Sequence, residues 1–123
     1  MEIPGILKQF EKVVPGVGTD APTAINEHGG KQSALDYRFD LIDPLVLFNL
    51  AKILYEGAEK YGEWNWRRLS VTENLNHALS HIFAYMAEDP QDDHIGHAFC
   101  RLMFVQSLLL TPGQTSRMTP KDV

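Results

Sequence analysis

The chain of 123 residues contains a single cysteine, Cys100, and this scarcity excludes both an internal disulfide and a cysteine-based zinc cluster. One cysteine suits a reducing compartment, so the sequence favours a cytoplasmic protein. Cys100 lies among apolar neighbours in "HAFCRLMF". We therefore interpret it as a small core residue and not as a nucleophile.

Basic residues and long apolar runs are also scarce. The 11 lysines and arginines are outnumbered by 16 aspartates and glutamates, which gives a net charge of -5. Duplex nucleic acid requires a basic surface, so this balance argues against it as a partner. No apolar run approaches the ~20 residues that span a bilayer, and the first residues lack the pattern of a signal peptide. We expect no membrane partner.

Three stretches show the apolar periodicity of amphipathic helices, and none shows that of a convincing strand. The first begins at Asp43 and Pro44, a cap followed by a residue suited to the first helical position, and ends near Gly62. The second follows a predicted cap at Thr72 and runs to about residue 89, and the third runs from about Gln91 to Leu110. The expected core faces are Leu47, Leu50, Leu54, Ala58 and Tyr61 on the first helix, and Leu75, Ala78, Leu79, Ile82 and Met86 on the second.

The predicted fold class is all-α, with three main helices and an irregular N-terminal arm. Residues 1 to 43 are rich in proline and glycine, and only residues 6 to 14 show a short helical pattern. We predict an arm over 1–28, an all-α domain over 29–111 and a flexible tail over 112–123. The third helix is apolar nearly all round beyond Arg101, so we expect copies of the chain to cover it in an oligomeric bundle, a dimer or a tetramer.

Histidines and acidic residues recur at helical spacing on all three helices. Imidazoles and carboxylates grouped in this way suit a divalent metal or acid–base chemistry. The alternative is that each group is a solvated helix face, and on the first helix the acids can be members of surface ion pairs. The groups are Glu56 and Glu59 on the first helix, His77 and His81 on the second, and Asp93, His94 and His97 on the third.

The segment "YGEWNWRR" between the first two helices is rich in aromatic residues. Trp64 and Trp66 can stack on a base while Asn65 bonds a base edge, or both tryptophans can bury against the helices. The nearby cations that can hold phosphates are Lys60, Arg67 and Arg68. Lys31 in "HGGKQS" can do the same, although no strand precedes this glycine pair and the full Walker spacing is absent.

Four segments in this order resemble a known family: "GGKQSALDYRFDLIDP", "LAKILYEGAEKYGEWNWR", "LNHALSHIFAY" and "DDHIGHAFCRL". They resemble the phage and bacterial dATP/dGTP diphosphohydrolase N-terminal family over about residues 29 to 106. That family is similar to the MazG-like all-α NTP pyrophosphatases, which cleave a (d)NTP to the monophosphate and pyrophosphate. The resemblance implies a hydrolase with a purine nucleotide substrate, Mg²⁺ or Mn²⁺ as cofactor, and the host cytoplasm as location for a phage-encoded protein.

The resemblance also implies site residues, although the chain departs from the MazG-like pattern of Glu-Glu-x-x-Glu followed by Glu-x-x-Asp. Tyr55 replaces the first glutamate and Asn76 the final aspartate. The metal shell is then either rebuilt with histidines, or hydrolysis has been lost. The implied catalytic residues are Glu56, Glu59 and His81. The implied metal ligands are Glu56, Glu59, His77, His81, Asp93, His94 and His97, and the implied nucleotide-binding residues are Lys31, Trp64, Asn65, Trp66 and Arg67.

Three functions are therefore compatible with the sequence. The first is a metal-dependent nucleotide pyrophosphohydrolase. The second is a protein that binds or sequesters a nucleotide without hydrolysing it, which the incomplete carboxylate pattern favours. The third is a structural helical oligomer whose histidine and glutamate faces are merely solvated.

Overall fold

The computed structural model describes residue 14 and residues 16–112. The predicted helix over residues 6 to 14 lies almost entirely outside these residues, and so does the predicted tail beyond residue 112. The chain forms two compact units, Met1–Ile42 and Asp43–Val123. No helix in the described residues is both long and apolar enough to cross a bilayer.

The N-terminal unit contains a small antiparallel hairpin, so the prediction that the chain has no strand was wrong. Strand β1 spans Thr23–Ile25 and strand β2 spans Lys31–Ser33. In the turn between them, the side chain of Asn26 accepts hydrogen bonds from two backbone amides. Strands of three residues are too short to show an alternating pattern, which is why the sequence did not reveal them. The boundary predicted between residues 28 and 29 falls in this turn, and the division into arm, domain and tail stays a prediction.

In its described residues, 43–112, the second unit contains three α-helices, which confirms the all-α fold class. Helix α1 spans Pro44–Tyr61, α2 spans Val71–Met86 and α3 spans His94–Leu110. The predicted start of α1 is confirmed, because the Asp43 side chain accepts a hydrogen bond from the Leu45 amide. Its end is confirmed too: Gly62 has a φ of 95°, which favours glycine. A 3₁₀ turn over Asn65–Arg68 connects α1 to α2.

The predicted ends of the other two helices need correction. Helix α2 is capped by Ser70 and not by Thr72, since Ser70 and Glu73 form a reciprocal capping box with hydrogen bonds of 3.0 and 2.8 Å. The acid that completes this box stands three residues after Ser70, a spacing that Thr72 lacks. Helix α2 also ends at Met86, three residues early, and α3 begins at His94, three residues later than predicted.

The core of the helical unit lies where α1 and the Asn65–Arg68 turn meet α3. Four buried residues form it: Leu50, Ile53, Cys100 and Phe104. The predicted core positions Leu50, Leu54, Ala58, Ala78 and Ile82 are buried or half-buried, whereas Leu47, Tyr61, Leu75, Leu79 and Met86 are exposed.

Helix α2 presents a different face to α3 from the one that its apolar pattern predicts. Asn74 is fully buried there, and its side-chain oxygen accepts a hydrogen bond of 3.0 Å from Arg101. This polar pair turns the Asn74 and Ala78 side of α2 inward, so Leu75 and Leu79 are left outside. Phe99, Leu102, Leu109 and Leu110 of α3 are also exposed in the single chain, and the predicted homo-oligomer stays a prediction.

A second polar pair joins α1 to the start of α3 across a glycine. The Asp93 carboxylate caps α3 by accepting the Gly96 amide at 3.0 Å, and its other oxygen accepts the Asn49 side-chain amide at 2.8 Å. A Cβ atom on Gly96 would collide with the Asp93 carboxylate and would lie 2.7 Å from the Asn49 nitrogen. Glycine is therefore required for this junction.

We expect Gly96→Ala to destabilise the chain because the added methyl group displaces the Asn49–Asp93 hydrogen bond. Loss of a bond to a charged group costs ~1.5–3 kcal/mol, and the better helix propensity of alanine returns ~1 kcal/mol. The free energy of unfolding, measured by urea denaturation, should fall by roughly 0.5–2 kcal/mol. Gly57→Ala is the matched control: open space surrounds that helical glycine, so it should stabilise the chain. Equal stability of the two variants would contradict the role of Gly96.

Candidate functional site

A pocket of about 650 Å³ opens within the helical unit. This volume lies in the range of small-molecule sites, which is ~300–1,000 Å³. All three helices and the segment that connects α1 to α2 contribute to its lining. The polar and aromatic side chains that line it include Glu56, Lys60, Trp64, Asn65, Trp66, His77, His81, Asp92, His97 and Arg101.

The structure thus brings many of the sequence-predicted site residues to one place, because the pocket lining contains Glu56, Trp64, Asn65, Trp66, His77, His81 and His97. Glu59, Arg67, Asp93 and His94 are not among the lining residues. Lys31 is exposed in β2 of the N-terminal unit, and its contact with a nucleotide stays a prediction.

Two histidines, one from α2 and one from α3, meet beside the pocket. The Nδ1 atoms of His81 and His94 are 3.0 Å apart, and His94 Nε2 lies 2.6 Å from a carboxylate oxygen of Asp89. The ring of His97 stacks on that of His81 with centroids 5.1 Å apart. His97 Nε2 lies 3.4 Å from a carboxylate oxygen of Asp92. Two carboxylates therefore accompany the imidazoles and offset the charge of any proton they take up.

The pKa of His81 is lowered, first by partial burial and then by the neighbouring imidazoles of His97 and His94. Asp92 acts in the opposite direction, and Arg101 adds to the lowering. A lowered pKa keeps this imidazole neutral at pH 7, with one nitrogen lone pair available for a proton or a metal ion.

Asp89 and Asp92 are the acidic residues that the sequence analysis missed. They lie in "EDPQDDH", the short link between the two helices that carry histidines, and that acid-rich composition was an available signal. Asp93 is one of the metal ligands that the family resemblance implies. In the structure both oxygens of Asp93 have other partners, the Gly96 amide and the Asn49 side chain. The pKa of Asp93 is lowered by these two bonds, and the bond from Asn49 has the larger effect.

The two tryptophans have different surroundings. Trp66 packs on the core, with its ring stacked on Phe104 at a centroid distance of 4.4 Å and an interplanar angle of 4°. The Arg67 guanidinium lies over the same ring at 4.6 Å and donates a hydrogen bond of 3.2 Å to Ser107. These neighbours cover ring surface of Trp66. Trp64 is half-buried, lines the pocket and has the left-handed φ of 64°, which is uncommon for a bulky residue.

Three further reactive side chains, Glu56, Glu73 and Cys100, differ in their exposure and their hydrogen bonds. Glu56 lines the pocket with an exposed side chain. Glu73 belongs to the capping box, where one of its oxygens accepts the Ser70 amide. Burial raises the pKa of the Cys100 thiol to about 11, so it stays protonated at neutral pH and cannot act as a nucleophile there.

The model of one protein family, described as "dATP/dGTP diphosphohydrolase, N-terminal", matches residues 26–117. The chain belongs to this family. The match spans every residue that lines the pocket, and it confirms the resemblance noted in the sequence. No solved structure matches the chain.

A curated relative of this family member is a dATP/dGTP diphosphohydrolase of Salmonella phage PMBT28. The two are 34% identical over 74 aligned positions, and the match covers 56% of this chain and 26% of the phage protein. The chain therefore spans about a quarter of the length of the curated relative that it matches.

The lowered pKa of Asp93 predicts a pH dependence for the stability of this family member. The unfolded chain binds a proton at Asp93 more readily than the folded chain, so the contribution is complete above the unfolded pKa of about 3.9. It is lost as the pH falls through the lower folded pKa. We expect the free energy of unfolding to decline less steeply between about pH 5 and pH 3 in Asp93→Asn than in the wild type. Asn49→Ala should remove most of the same difference, because its amide is the main cause. Parallel curves for all three proteins would contradict this prediction.

Proposed function

We propose that the chain is a metal-dependent nucleotide pyrophosphohydrolase that cleaves a purine (d)NTP to the monophosphate and pyrophosphate. The observation that carries this proposal is the lining of one pocket. It combines an aromatic segment suited to a base with cationic, acidic and imidazole groups suited to phosphates. Membership of a family described as dATP/dGTP diphosphohydrolase supports the same reaction class and substrate.

Trp64 and Asn65 form the proposed base-binding part of the pocket. Aromatic rings stack on bases, and the asparagine side chain can donate to and accept from a base edge. Arg67 lies over both tryptophan rings, but Trp66 is also stacked on Phe104, so we assign the stacking role to Trp64. Trp66 is partly buried and packs against the hydrophobic core, so we assign it a structural role.

Lys60 and Arg101 are the proposed phosphate-binding cations. Both line the pocket, and Arg101 is oriented by its hydrogen bond to the buried Asn74. Fixed positive groups neutralise the charge that develops on the phosphates during transfer. The sequence assigned this task to Lys31, Arg67 or Arg68, with Lys60 as a further candidate. The Arg67 side chain instead lies on the two tryptophan rings and bonds Ser107, which suits a supporting role.

Glu56 is the proposed protein ligand for Mg²⁺ or Mn²⁺ in the nucleotide complex. Mg²⁺ is commonly held by one or two carboxylates together with substrate phosphates, and Glu56 is an implied carboxylate that lines the pocket. When bound, such an ion polarises the phosphoryl oxygens and acidifies an attacking water. Glu59 lies three residues further along the same helix and is exposed.

Glu56 and His81 are the two pocket residues proposed to accept the proton of the attacking water. The oxygen of the attacking water forms a bond to the α-phosphorus. The bond that links the α-phosphorus to the β-phosphate breaks, and pyrophosphate leaves. A carboxylate oxygen offers a lone pair to this proton. The lowered pKa of His81 keeps its imidazole neutral, so one ring nitrogen also offers a lone pair.

Replacing the stacking residue should weaken nucleotide binding. Base stacking contributes ~1–3 kcal/mol per base, so Trp64→Ala should raise KM for the preferred dNTP about 5- to 150-fold. KM is measured by pyrophosphate release with a panel of NTPs and dNTPs, in Mg²⁺ and in Mn²⁺. Tyr85→Ala is the matched control, because Tyr85 is an exposed aromatic residue of α2 outside the pocket lining. Failure of every nucleotide to release pyrophosphate or monophosphate would refute the proposed reaction.

Removing the pocket carboxylate should slow turnover. Proton acceptors contribute about 10²- to 10⁴-fold to the rate, so Glu56→Gln should lower kcat by at least about 100-fold. Glu88→Gln is the control, since Glu88 is exposed after α2 and does not line the pocket. The wild-type kcat in Glu56→Gln would exclude Glu56 both as a proton acceptor and as an essential metal ligand.

A second candidate function, nucleotide binding without hydrolysis, is favoured by one observation. Glu73, which stands where the MazG-like pattern has its later glutamate, holds the cap of α2 with one oxygen, and Tyr55 and Asn76 replace two of the other carboxylates. Calorimetry that shows tight nucleotide binding, with the ligand recovered intact, would support this candidate. A thermal stability that no nucleotide alters would remove both functions and leave the structural helical oligomer.

A further inference from the structure

We propose that His81, His94 and Asp92 bind a borderline transition-metal ion such as Zn²⁺ or Co²⁺, at a site separate from the Mg²⁺ that accompanies a nucleotide. Within the described residues, the ligand atoms of these three side chains all lie within 4.8 Å of one another. Two imidazole nitrogens and one carboxylate oxygen suit such an ion. Mg²⁺ instead prefers a set made of oxygen atoms alone.

The tautomer of His94 prepares this site. His94 is buried, and its Nε2 lies 2.6 Å from the Asp89 carboxylate, which can only accept a hydrogen bond when ionised. Nε2 therefore carries the hydrogen, and Nδ1 of the neutral ring carries a lone pair. That lone pair faces Nδ1 of His81. One hydrogen on Nδ1 of His81 can bond to this lone pair. When His81 carries its hydrogen on Nε2 instead, the Nδ1 lone pairs of both rings are free to bind one metal ion.

The distances are close to those of coordination. Two nitrogens that are each about 2.1 Å from one tetrahedral ion lie about 3.4 Å apart. The Nδ1 atoms of His81 and His94 are separated by 3.0 Å, so a small separation of the two rings admits the ion. The Asp92 side chain is exposed, so its rotation can bring an oxygen closer to the two nitrogens.

The neighbouring residues have the properties of a supporting shell. A carboxylate that bonds the outer nitrogen of a ligating histidine fixes the ring and makes it a stronger donor, and Asp89 does this for His94. His97 stacks on His81 and contacts Asp92. With an ion bound, Nδ1 of His81 is occupied, so Glu56 is the remaining proton acceptor in the proposed reaction.

The test uses the full chain after treatment with EDTA, without nucleotide. Titration with Co²⁺ should give visible absorption bands, and calorimetry should show Zn²⁺ binding at least about 100-fold tighter than Mg²⁺. His81→Gln and His94→Gln should abolish the bands, and Asp89→Asn should weaken Zn²⁺ binding about 10- to 100-fold. His28→Gln is the control, because His28 lies exposed in the hairpin turn of the other unit. Zn²⁺ should raise the melting temperature of the wild type and of this control alone.

Asp92→Asn, at an exposed position, keeps the test valid if a buried-histidine variant fails to fold, and it should weaken Zn²⁺ binding. Wild-type Zn²⁺ affinity in both Asp92→Asn and His81→Gln would overturn the proposal, as would tighter binding of Mg²⁺. Because the readout is metal binding, a chain that binds Co²⁺ but hydrolyses no nucleotide would refute the proposed function and leave this site intact.

Discussion

The contact between α2 and α3 is the constraint on which the rest of the helical unit depends, and it is held at both ends by polar pairs. Asn74 accepts a hydrogen bond from Arg101 at one end, and His81 meets His94 at the other. Ala78 and Ala98, both small and buried, lie between these pairs along their helices. A buried polar group that loses its partner costs ~1–3 kcal/mol, so these pairs specify how the two helices must be rotated.

That rotation produces the site. It places His77 and His81 of α2 in the same pocket lining as His97 and Arg101 of α3. Helix α1 adds Glu56 to this lining. The segment after Gly62 then places its tryptophans against this lining, one packed on Phe104 and the other left to line the pocket. The same burial that fixes the histidines lowers the pKa of His81 and so preserves its lone pair. The packing of α2 against α3 therefore also lowers the pKa of His81.

The two proposed metal ions differ in their ligands because two kinds of donor lie in and beside the pocket. Glu56 and the phosphates of a nucleotide supply only oxygen, which suits Mg²⁺. The imidazole pair supplies nitrogen, and Asp89 orients one member of that pair. The MazG-like carboxylate pattern is incomplete in this chain. The imidazole pair of His81 and His94 lies beside the pocket that Glu56 lines. Substitutions at Glu56 and at His94 therefore separate the two metal sites experimentally.

The sequence by itself determined the three helices, the cap and proline that begin α1, the glycine that ends it, and seven of the residues that line the pocket. These features follow from local patterns: helical spacing places side chains on one face, and Asp43, Pro44 and Gly62 act on their own backbone. The hairpin was missed because its strands span three residues each. Only the tertiary structure decided that Asn74 and not Leu75 faces α3, that Asp92 and not Asp93 joins the histidines, and that Trp66 packs while Trp64 lines the pocket. Each of these outcomes depends on a partner distant in sequence, namely Arg101, Asn49 or Phe104, and no local pattern reports such a partner.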